Sequence, residues 1–386
     1  MTGIDERGQN TTGFIPELTG LRGVAALLIV INHITLVLPA LNDIVLPWGT
    51  KLSYYTWLCG IAGMSLFFIL SGIVIYYTYA GRILSTPLTG IKNFFVARFA
   101  RLYPLYFVFI VVFFIWNLRL APELLAPNLT SLPLFLAGMQ SWIYGYIDGI
   151  EVLYLQGNAN ITWSVSTEFA LYFFFVPFVF AVGRADLKKS LLLFSVAFIL
   201  GIAFIYSVCY FPELTEWMSS IYPGHGSAHY VYLTYHSPYG RIFEFVTGWA
   251  VAMLYLERNK LSRLFRYLSC LAWFGSAALL VLSGGNVFDG WSHTFVSPCL
   301  MLFCFGLPYF GSRILRCKPL MFLGDVSYSA YLLHIVFVAL LQYKGSDSSR
   351  ILMTMSKFVG FTYLAAWISY RWFETPVRRK IRSLAR

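Results

Sequence analysis

A histidine lies inside the first apolar stretch of the chain, where an ionisable side chain is costly. His33 belongs to the run 21–40 and follows Arg22 by eleven residues, which is about 16 Å along a helix. Arg22 can extend to the near membrane surface, whereas His33 lies beyond the middle of the bilayer. Because imidazole exchanges a proton near neutral pH, His33 is a candidate general base for a hydroxyl. A histidine that only bonds to a neighbouring helix is the alternative.

A carboxylate is the second candidate inside an apolar segment. Glu168 ends the segment 163–168, sequence WSVSTE, about two turns inside a predicted helix. A carboxylate at that depth can orient an imidazole and stabilise the imidazolium that forms when a proton is accepted. We therefore predict that His33 and Glu168 meet across two helices. A structural hydrogen bond to a neighbouring helix is the alternative for Glu168.

Two arginines and one serine are candidates for binding a donor. Arg98 and Arg101 are three residues apart, so they share one face of a helix. Paired guanidinium groups suit the phosphates of a nucleotide thioester, which arginine binds bidentately. Anchoring of a helix at the cytoplasmic surface explains the two arginines equally well. Ser71 precedes Gly72 in a Phe-rich segment where small residues let helices approach closely, and the chain lacks the GxSxG motif of a serine nucleophile.

Three polar aromatic residues recur at helical spacing near the end of the chain. Tyr328, Tyr331 and His334 are three residues apart and share roughly one helix face. Their spacing fits a structural polar ladder and a substrate-lining face equally well.

The remaining histidines do not form a convincing metal site. His225, His229 and His236 lie in a tyrosine-rich segment, but the proline and glycines around the first two argue against the helix that a metal pair at this spacing needs. The chain also lacks a CxxC pair, an HExxH motif and a phosphate-binding loop. We predict no metal site, and the tyrosine-rich segment suits contact with carbohydrate better.

The composition predicts a membrane protein. Apolar residues make up 58% and charged residues 12% of the 386 positions, and the mean hydropathy is +0.68. A soluble domain carries roughly 25% charged residues. The net charge of +11 does not indicate nucleic-acid binding, because the basic residues cluster between apolar segments rather than along one stripe.

Ten segments are long and apolar enough to span a bilayer, which takes roughly 20 residues. They are 21–40, 57–79, 94–117, 162–183, 188–211, 240–256, 268–283, 293–311, 326–343 and 351–372. The shorter apolar segment 131–147 contains Pro133 and two glycines, so we interpret it as re-entrant or interfacial. The predicted fold is an all-α polytopic bundle of about ten spanning helices with one additional short helix.

The distribution of basic residues predicts the orientation of the bundle. With the N-terminus inside, 22 of the 28 lysines and arginines fall on the cytoplasmic side and 6 on the outer side. This bias favours cytoplasmic positions for both termini. We predict one integral membrane domain over 1–386, with a cytoplasmic tail at 1–13, a basic tail at 377–386 and no fused extracytoplasmic domain.

The motifs together resemble the acyltransferase-3 family, whose membrane O-acyltransferases modify bacterial surface polysaccharides, lipopolysaccharide, lipid-linked sugars and some small molecules. The resemblance runs from about 14 to 382. It is carried in order by Arg22 with His33, by the Phe-rich segment Ser65–Gly72, by Arg98, Arg101 and Pro104, by Trp163–Glu168, and by Gly324–His334 followed by Glu374 and Pro376.

The resemblance implies an enzyme of the bacterial inner membrane. It would move an acyl group, in the simplest case acetyl from acetyl-CoA, from the cytoplasm to a hydroxyl of an envelope carbohydrate or glycolipid. Implied partners are acyl-CoA, that acceptor and membrane lipid, with no nucleic acid and no metal. The implied residues are His33, Glu168 and Arg22 for catalysis, Arg98, Arg101 and Ser71 for the donor, and Trp163, Tyr328 and His334 for the substrate.

Two other classes of protein fit the same sequence features. A transporter or flippase for a lipid-linked saccharide would also use a few buried polar groups among many helices, and it would not consume a thioester. A non-catalytic sensor or scaffold would tolerate the loss of both His33 and Glu168. Family members often carry a fused periplasmic hydrolase-like domain, which the resemblance does not include here, so we expect direct transfer or transfer through a separate partner.

Overall fold

The apolar segments form helices, because each backbone N–H and C=O group inside a bilayer must be hydrogen-bonded within the protein. The computed structural model describes residues 15–47, 49–211, 228–260, 313–345 and 347–384, with a few isolated residues outside these ranges. Over this part of the chain the all-α prediction is confirmed. The helices are α1 (Pro16–Asn32), α2 (Ile34–Val37), α3 (Leu52–Ile75), α4 (Gly81–Ser85), α5 (Pro87–Leu120), α6 (Leu125–Ala137), α7 (Trp163–Val182), α8 (Leu187–Tyr210), α9 (Ala228–Val231), α10 (Pro238–Leu256), α11 (Lys318–Asp325), α12 (Ser327–Leu340), α13 (Ser348–Ser369) and α14 (Thr375–Leu384).

Shorter elements connect these helices. Two pairs of two-residue antiparallel strands are present, β1 (Gly3–Ile4) with β2 (Asn10–Thr11) and β3 (Tyr146–Ile147) with β4 (Ile150–Glu151). The 3₁₀ segments are Pro39–Asp43, Pro122–Leu124, Val152–Tyr154, Gly157–Thr162 and Arg258–Lys260. Segments of π-helix occur at Tyr76–Ala80, Tyr232–His236 and Tyr370–Glu374, and such segments are frequent at functional sites.

The described residues contain six helices long and apolar enough to cross a membrane, or seven if the bent pair α11 and α12 forms one span. The chain is therefore a multi-pass membrane protein. Two of the ten predicted spans, 268–283 and 293–311, lie outside the described residues, so the predicted number of spans stays a prediction. The predicted span 240–256 coincides with α10, whose first turns carry Arg241 and Glu244.

The first predicted span is interrupted at the candidate base. Helix α1 ends at Asn32, His33 is its C-terminal cap, and the one-turn helix α2 follows. The predicted span 21–40 corresponds to the candidate membrane span Pro16–Val37, which has a local interruption at His33. The interruption places His33 at a break in the backbone, where its side chain is half-buried.

The third predicted span extends further than the sequence indicated. Helix α5 begins at Pro87 rather than at position 94 and has 34 residues, about 50 Å at 1.5 Å per residue. Proline is favoured in the first turn of a helix, and the polar residues that follow it extend the helix beyond the apolar core. Arg98 consequently lies about three turns inside α5 rather than at its beginning.

The segment 131–147 does not form a spanning helix. Helix α6 has 13 residues and ends at Gly138, which adopts a left-handed conformation with φ of 66°. Thirteen residues rise about 20 Å, which is less than the hydrocarbon core of about 30 Å. The chain then continues into the β3–β4 hairpin.

Helix α3 packs against both α1 and α10, and α11 packs against α1. The contact between α3 and α10 is close because Gly72 of α3 and Gly248 of α10 face each other. A Cβ atom on Gly72 would collide with the carbonyl oxygen of Phe245, and one on Gly248 would collide with that of Ile69. Small residues at helix contacts are a common basis of packing in membranes. The close approach fixes Ser71, the neighbour of Gly72, relative to α10.

Replacement of Gly72 by alanine should destabilise this helix pair, because the added methyl group meets backbone atoms that cannot rotate away. We expect a loss of about 1–3 kcal/mol, seen as a lower midpoint of thermal unfolding in detergent. Gly81→Ala is the matched control, since a Cβ atom there has no neighbour within 4 Å. Equal midpoints for the two variants would contradict the close-packing argument.

Candidate functional site

Six of the nine predicted site residues line one cavity, which we call the basic cavity. Its empty space, open solvent included, is about 670 Å³, and its lining includes Arg22 from α1, Arg98 and Arg101 from α5, and Glu168 from α7. Three guanidinium groups therefore face one carboxylate, and the cavity favours an anionic ligand. Its full lining is Arg22, Met64, Phe67, Phe68, Ser71, Val74, Arg98, Arg101, Leu102, Ser164, Val165, Glu168, Ser327, Tyr328 and Tyr331.

The three arginines differ in how the protein holds them. Arg98 is buried, donates a 3.0 Å hydrogen bond to the hydroxyl of Tyr79 and lies over the rings of Tyr79 and Tyr172. Arg22 and Arg101 line the cavity, and neither makes a hydrogen bond or ion pair to a described residue. Their N–H groups are therefore available to a ligand. Phosphate oxygens would satisfy such donors bidentately.

Glu168 is held by two hydroxyl groups. Its Oε1 accepts a 2.6 Å hydrogen bond from Ser71 Oγ and a 2.5 Å hydrogen bond from the hydroxyl of Tyr172. Bonds of this length to a carboxylate are charge-assisted and strong. Ser71 therefore acts here as a donor to Glu168. Tyr328, on the other side of the cavity, donates to the carbonyl of Leu102 at 2.6 Å.

His33 lines a second cavity, which we call the aromatic cavity. Its empty space, open solvent included, is about 1220 Å³, and Trp57, Trp163 and Tyr235 contribute rings to its wall. Aromatic faces beside amide groups are typical of sites that hold a sugar ring between apolar and polar contacts. Its full lining is Ile29, Asn32, His33, Leu36, Trp57, Gly60, Ile61, Met64, Leu153, Tyr154, Asn160, Ile161, Trp163, Val231, Tyr235, His236, Tyr331 and Ile335.

The backbone orients the imidazole of His33. Its Nδ1 lies 2.9 Å from the carbonyl oxygen of Ile29, which can only accept, so Nδ1 carries the hydrogen. In the neutral ring Nε2 then has the free lone pair that a general base needs. The ring meets that of His334 edge to face, with centroids 4.7 Å apart.

His334 lies behind His33 and is fully buried. Its Nδ1 is 3.3 Å from the carbonyl oxygen of Ala330, while its Nε2 is buried without a hydrogen-bond partner in the described part of the chain. The residue is therefore a neighbour of the candidate base rather than part of the basic cavity. Its one-turn neighbour Tyr331 lines both cavities.

The predicted direct meeting of His33 and Glu168 is not what the structure shows. Glu168 bonds to Ser71 and Tyr172, whereas His33 contacts Ile29 and His334. The break after α1 places His33 at the aromatic cavity, while Glu168 lies in the basic cavity. His33 and Glu168 therefore do not form a hydrogen-bonded pair. Since the two cavities adjoin, each group can contact a different part of the reacting molecules.

The hydroxyl groups of the segment Trp163–Glu168 form hydrogen bonds that join α7 to the loops around the aromatic cavity. Ser166 Oγ accepts a 2.8 Å hydrogen bond from Ser141 Oγ, and Thr167 donates to the carbonyl of His236 at 2.6 Å. Trp163 packs against the ring of His236 with centroids 4.9 Å apart. The motif therefore positions the aromatic cavity as well as supplying Glu168.

A buried ion pair was missed by the sequence interpretation, which did not single out Arg241 or Glu244. Arg241 and Glu244 are 3% and 2% exposed, and Arg241 Nη1 lies 2.9 Å from Glu244 Oε1. Ser65 Oγ donates to the same carboxylate oxygen at 2.7 Å, and the guanidinium lies over the ring of Tyr235 at 4.4 Å. Opposite charges three residues apart at the start of an apolar helix are the signal that could have revealed it.

A metal centre is not visible in the described ranges, where no group of three or more His, Cys, Asp or Glu side chains could hold an ion. His229 and His236 are described, with His236 lining the aromatic cavity, while His225 lies outside the described residues.

The acyltransferase-domain family matches residues 15–371. This chain belongs to the acyltransferase-3 family. The family resemblance inferred from the motifs is therefore confirmed. No solved structure gives a significant match.

Curated relatives of this family member are named O-acetyltransferases. It is 23% identical to the peptidoglycan O-acetyltransferase OatA of Listeria monocytogenes and 24% identical to the putative peptidoglycan O-acetyltransferase YrhL of Bacillus subtilis. The two alignments cover 95% and 97% of this chain and 56% of each relative. A putative O-acetyltransferase of Staphylococcus aureus is 24% identical over 95% of this chain and 58% of its own length. The acyltransferase-3 chain thus spans a little over half the length of these relatives.

Removal of one partner of the buried ion pair should destabilise the acyltransferase-3 chain. Glu244→Gln leaves the Arg241 guanidinium without its charge partner in an apolar interior, and such a loss costs about 3–5 kcal/mol. The midpoint of thermal unfolding in detergent measures it. The double variant Arg241→Met with Glu244→Met should be more stable than Glu244→Gln, because no charge stays buried. The opposite order of stabilities would contradict the pairing.

The pH dependence of stability should report the ionisation of the Glu151 carboxyl group. Glu151 lies in β4, outside the candidate spans and close to Tyr154 of the aromatic cavity. Burial raises the pKa of its carboxyl group to about 7 from a usual value of 4.5. The native state therefore holds a proton that the unfolded state releases, and stability falls as the pH rises through this interval. Glu151→Gln should match the parent near pH 4.5 and unfold a few degrees higher at pH 8.

The matched control for this pH series is Glu123→Gln, since Glu123 is exposed in the same connecting region. That variant should follow the parent at every pH. A constant difference between Glu151→Gln and the parent from pH 4.5 to 8 would refute the assignment.

Proposed function

We propose that this protein is an O-acyltransferase that moves an acetyl group from acetyl-CoA to a hydroxyl of an envelope carbohydrate. The single observation that carries the proposal is the adjacency of two chemically different cavities. One offers two unpaired guanidinium groups, and the other presents an imidazole among aromatic rings. The relatives named peptidoglycan O-acetyltransferases favour a peptidoglycan sugar as the acceptor.

The donor binds in the basic cavity. Arg22 and Arg101 bind the phosphates of acyl-CoA, and Arg98, held by Tyr79, adds positive charge behind them. Helix α14, which carries the basic C-terminal residues, packs against α5, the helix of Arg98 and Arg101. A concentration of basic residues on this side is typical of a cytoplasmic surface. The basic cavity therefore faces the cytoplasm of a bacterial inner membrane, with both termini on that side.

The acceptor binds in the aromatic cavity. Trp57, Trp163 and Tyr235 offer faces to a sugar ring, and Asn32 and Asn160 offer amide groups to its hydroxyls. The loop residues that complete this cavity, such as Tyr154, belong to the connection between α5 and α7, so the cavity opens on the opposite side from the basic termini. Tyr328 contacts the donor end of the assembly, whereas Trp163 contacts the acceptor.

The chemistry follows from the tautomer of His33. Its Nε2 takes the proton of the acceptor hydroxyl while the hydroxyl oxygen attacks the thioester carbonyl carbon. The carbon–sulfur bond then breaks, and the thiolate of CoA leaves and takes a proton back from the imidazolium. His334 packs beside the ring and fixes its orientation. Glu168 orders the thioester end of the donor through Ser71 rather than charge-pairing the imidazole.

Two variants should separate the roles of the cavities in an assay of purified protein with acetyl-CoA and peptidoglycan fragments released by muramidase. His33→Gln keeps a polar side chain without a basic nitrogen, so kcat should fall by about 10²–10⁴-fold with little change in the KM for acetyl-CoA. Arg101→Gln removes a phosphate contact, so the KM for acetyl-CoA should rise by about tenfold or more with a smaller change in kcat.

Arg82→Gln is the matched control, because Arg82 is exposed on α4 and lines neither cavity. It should keep both kinetic constants. Full activity of His33→Gln at an unchanged protein level would remove His33 from the mechanism. Movement of a lipid-linked saccharide without thioester consumption would instead indicate a transporter.

A further inference from the structure

A thin wall separates the two cavities. Within the described ranges, Met64 of α3 and Tyr331 of α12 are the two residues that line both of them. Both side chains are buried, with exposures of 5% and 8%. The thioether of Met64 and the phenol ring of Tyr331 therefore lie where the basic cavity adjoins the cavity of His33.

Two hydrogen bonds hold the phenol ring of Tyr331 in place. Its hydroxyl donates to the carbonyl oxygen of Ile161 at 2.6 Å and accepts from Ser164 Oγ at 2.7 Å. Both partners belong to the chain that leads into Glu168. The ring also packs against Phe67 on the side of the basic cavity and against His334 on the side of the base, with centroids 6.3 and 5.9 Å apart. The hydroxyl end of Tyr331 is thus fixed by two hydrogen bonds.

The proposed function requires something to cross this wall. The donor phosphates bind to the arginines of one cavity, and the acceptor hydroxyl is deprotonated by His33 in the other. The thioester carbonyl carbon must come within bonding distance of that hydroxyl, while the phosphates stay with the arginines. The acyl end of the donor therefore has to pass between Met64 and Tyr331.

We propose that Tyr331 is the gate between the donor and acceptor cavities and that Met64 sets the length of acyl group that passes it; this inference rests on the proposed function. With both hydrogen bonds made, the gate keeps water of the aromatic cavity away from the thioester. The flexible thioether of Met64 fills the remaining space, so that a small acyl group passes and a longer one meets the side chain.

The position of Ile161 couples opening of the gate to binding of the acceptor. Ile161 lines the aromatic cavity, and its carbonyl oxygen is the acceptor of the Tyr331 hydroxyl. A sugar hydroxyl that donates to this carbonyl competes with Tyr331 for it. Loss of one neutral hydrogen bond costs about 1 kcal/mol, which shifts the population of the open gate about fivefold. Acceptor binding thereby favours passage of the acyl group.

The first test measures hydrolysis of acetyl-CoA without acceptor, in which water attacks the carbonyl carbon and CoA leaves as the thiol. Tyr331→Phe loses both anchoring hydrogen bonds but keeps the ring, so hydrolysis should rise at least fivefold over the parent. The fraction of consumed thioester that reaches the peptidoglycan fragments should fall. Ser164→Ala removes one anchor and should give an intermediate result even if Tyr331→Phe does not fold.

Tyr363→Phe is the matched control for the gate, since its buried hydroxyl has no hydrogen-bond partner in the described chain and lines neither cavity. It should leave the ratio of hydrolysis to transfer unchanged. A purely structural role of Tyr331 would lower both reactions in proportion, and an unchanged ratio in Tyr331→Phe and Ser164→Ala would overturn the gate.

The second test measures acyl-length preference. Met64→Ala should raise kcat/KM for butyryl-CoA relative to acetyl-CoA by about tenfold, because space opens in the passage. Met355→Ala on α13, which lines neither cavity, should keep the parent's preference, and an unchanged preference in Met64→Ala would overturn the role of Met64. If the parent leaves the acetyl-CoA thioester intact with and without acceptor, the proposed function itself fails. If the parent transfers acetyl and the variants keep its ratio of hydrolysis to transfer and its acyl-length preference, only the gate is refuted.

Discussion

Charge enclosed by apolar helices is the constraint on which the rest of this structure depends. Each buried ionic group needs a partner, a hydroxyl or a ligand, because the interior cannot solvate it as water does. Arg241 and Glu244 satisfy each other, and Glu168 is satisfied by Ser71 and Tyr172. Arg22 and Arg101 make no hydrogen bond or ion pair to a described residue, and this imbalance is the reason for proposing that the basic cavity binds an anionic ligand.

Hydroxyl groups connect the binding site to the fold. The serines and threonine of α7 bond to the loop residue Ser141, to the backbone of the π-helical segment Tyr232–His236 and to the gate residue Tyr331. One short polar segment thus fixes parts of both cavities. Close glycine contacts between α3 and α10 hold Ser71 in the same frame. In the proposed mechanism this rigidity lets two separate cavities act on one donor.

The family assignment rests on a match that covers most of the chain. The proposed division of labour gives each set of residues one task. Arginines hold the donor, aromatic rings hold the acceptor, and the neutral imidazole of His33 handles the proton. Separation of the two substrates by Tyr331 explains why a carboxylate and an imidazole can belong to one reaction without touching each other.

The sequence alone determined the helical class, the membrane character and the residue types of the site, because the length of apolar segments and the positions of ionisable residues within them are local properties that can be counted along the chain. It also placed Arg22, Ser71, Arg98, Arg101, Glu168 and Tyr328 among the candidates that the structure brings into one cavity. Only the tertiary structure decided which groups meet. The break after Asn32 turns His33 toward the aromatic cavity and His334, and the pairing of Arg241 with Glu244 and Ser65 joins residues up to 179 positions apart. Such contacts depend on helix packing and backbone breaks, which residue spacing along one helix does not encode.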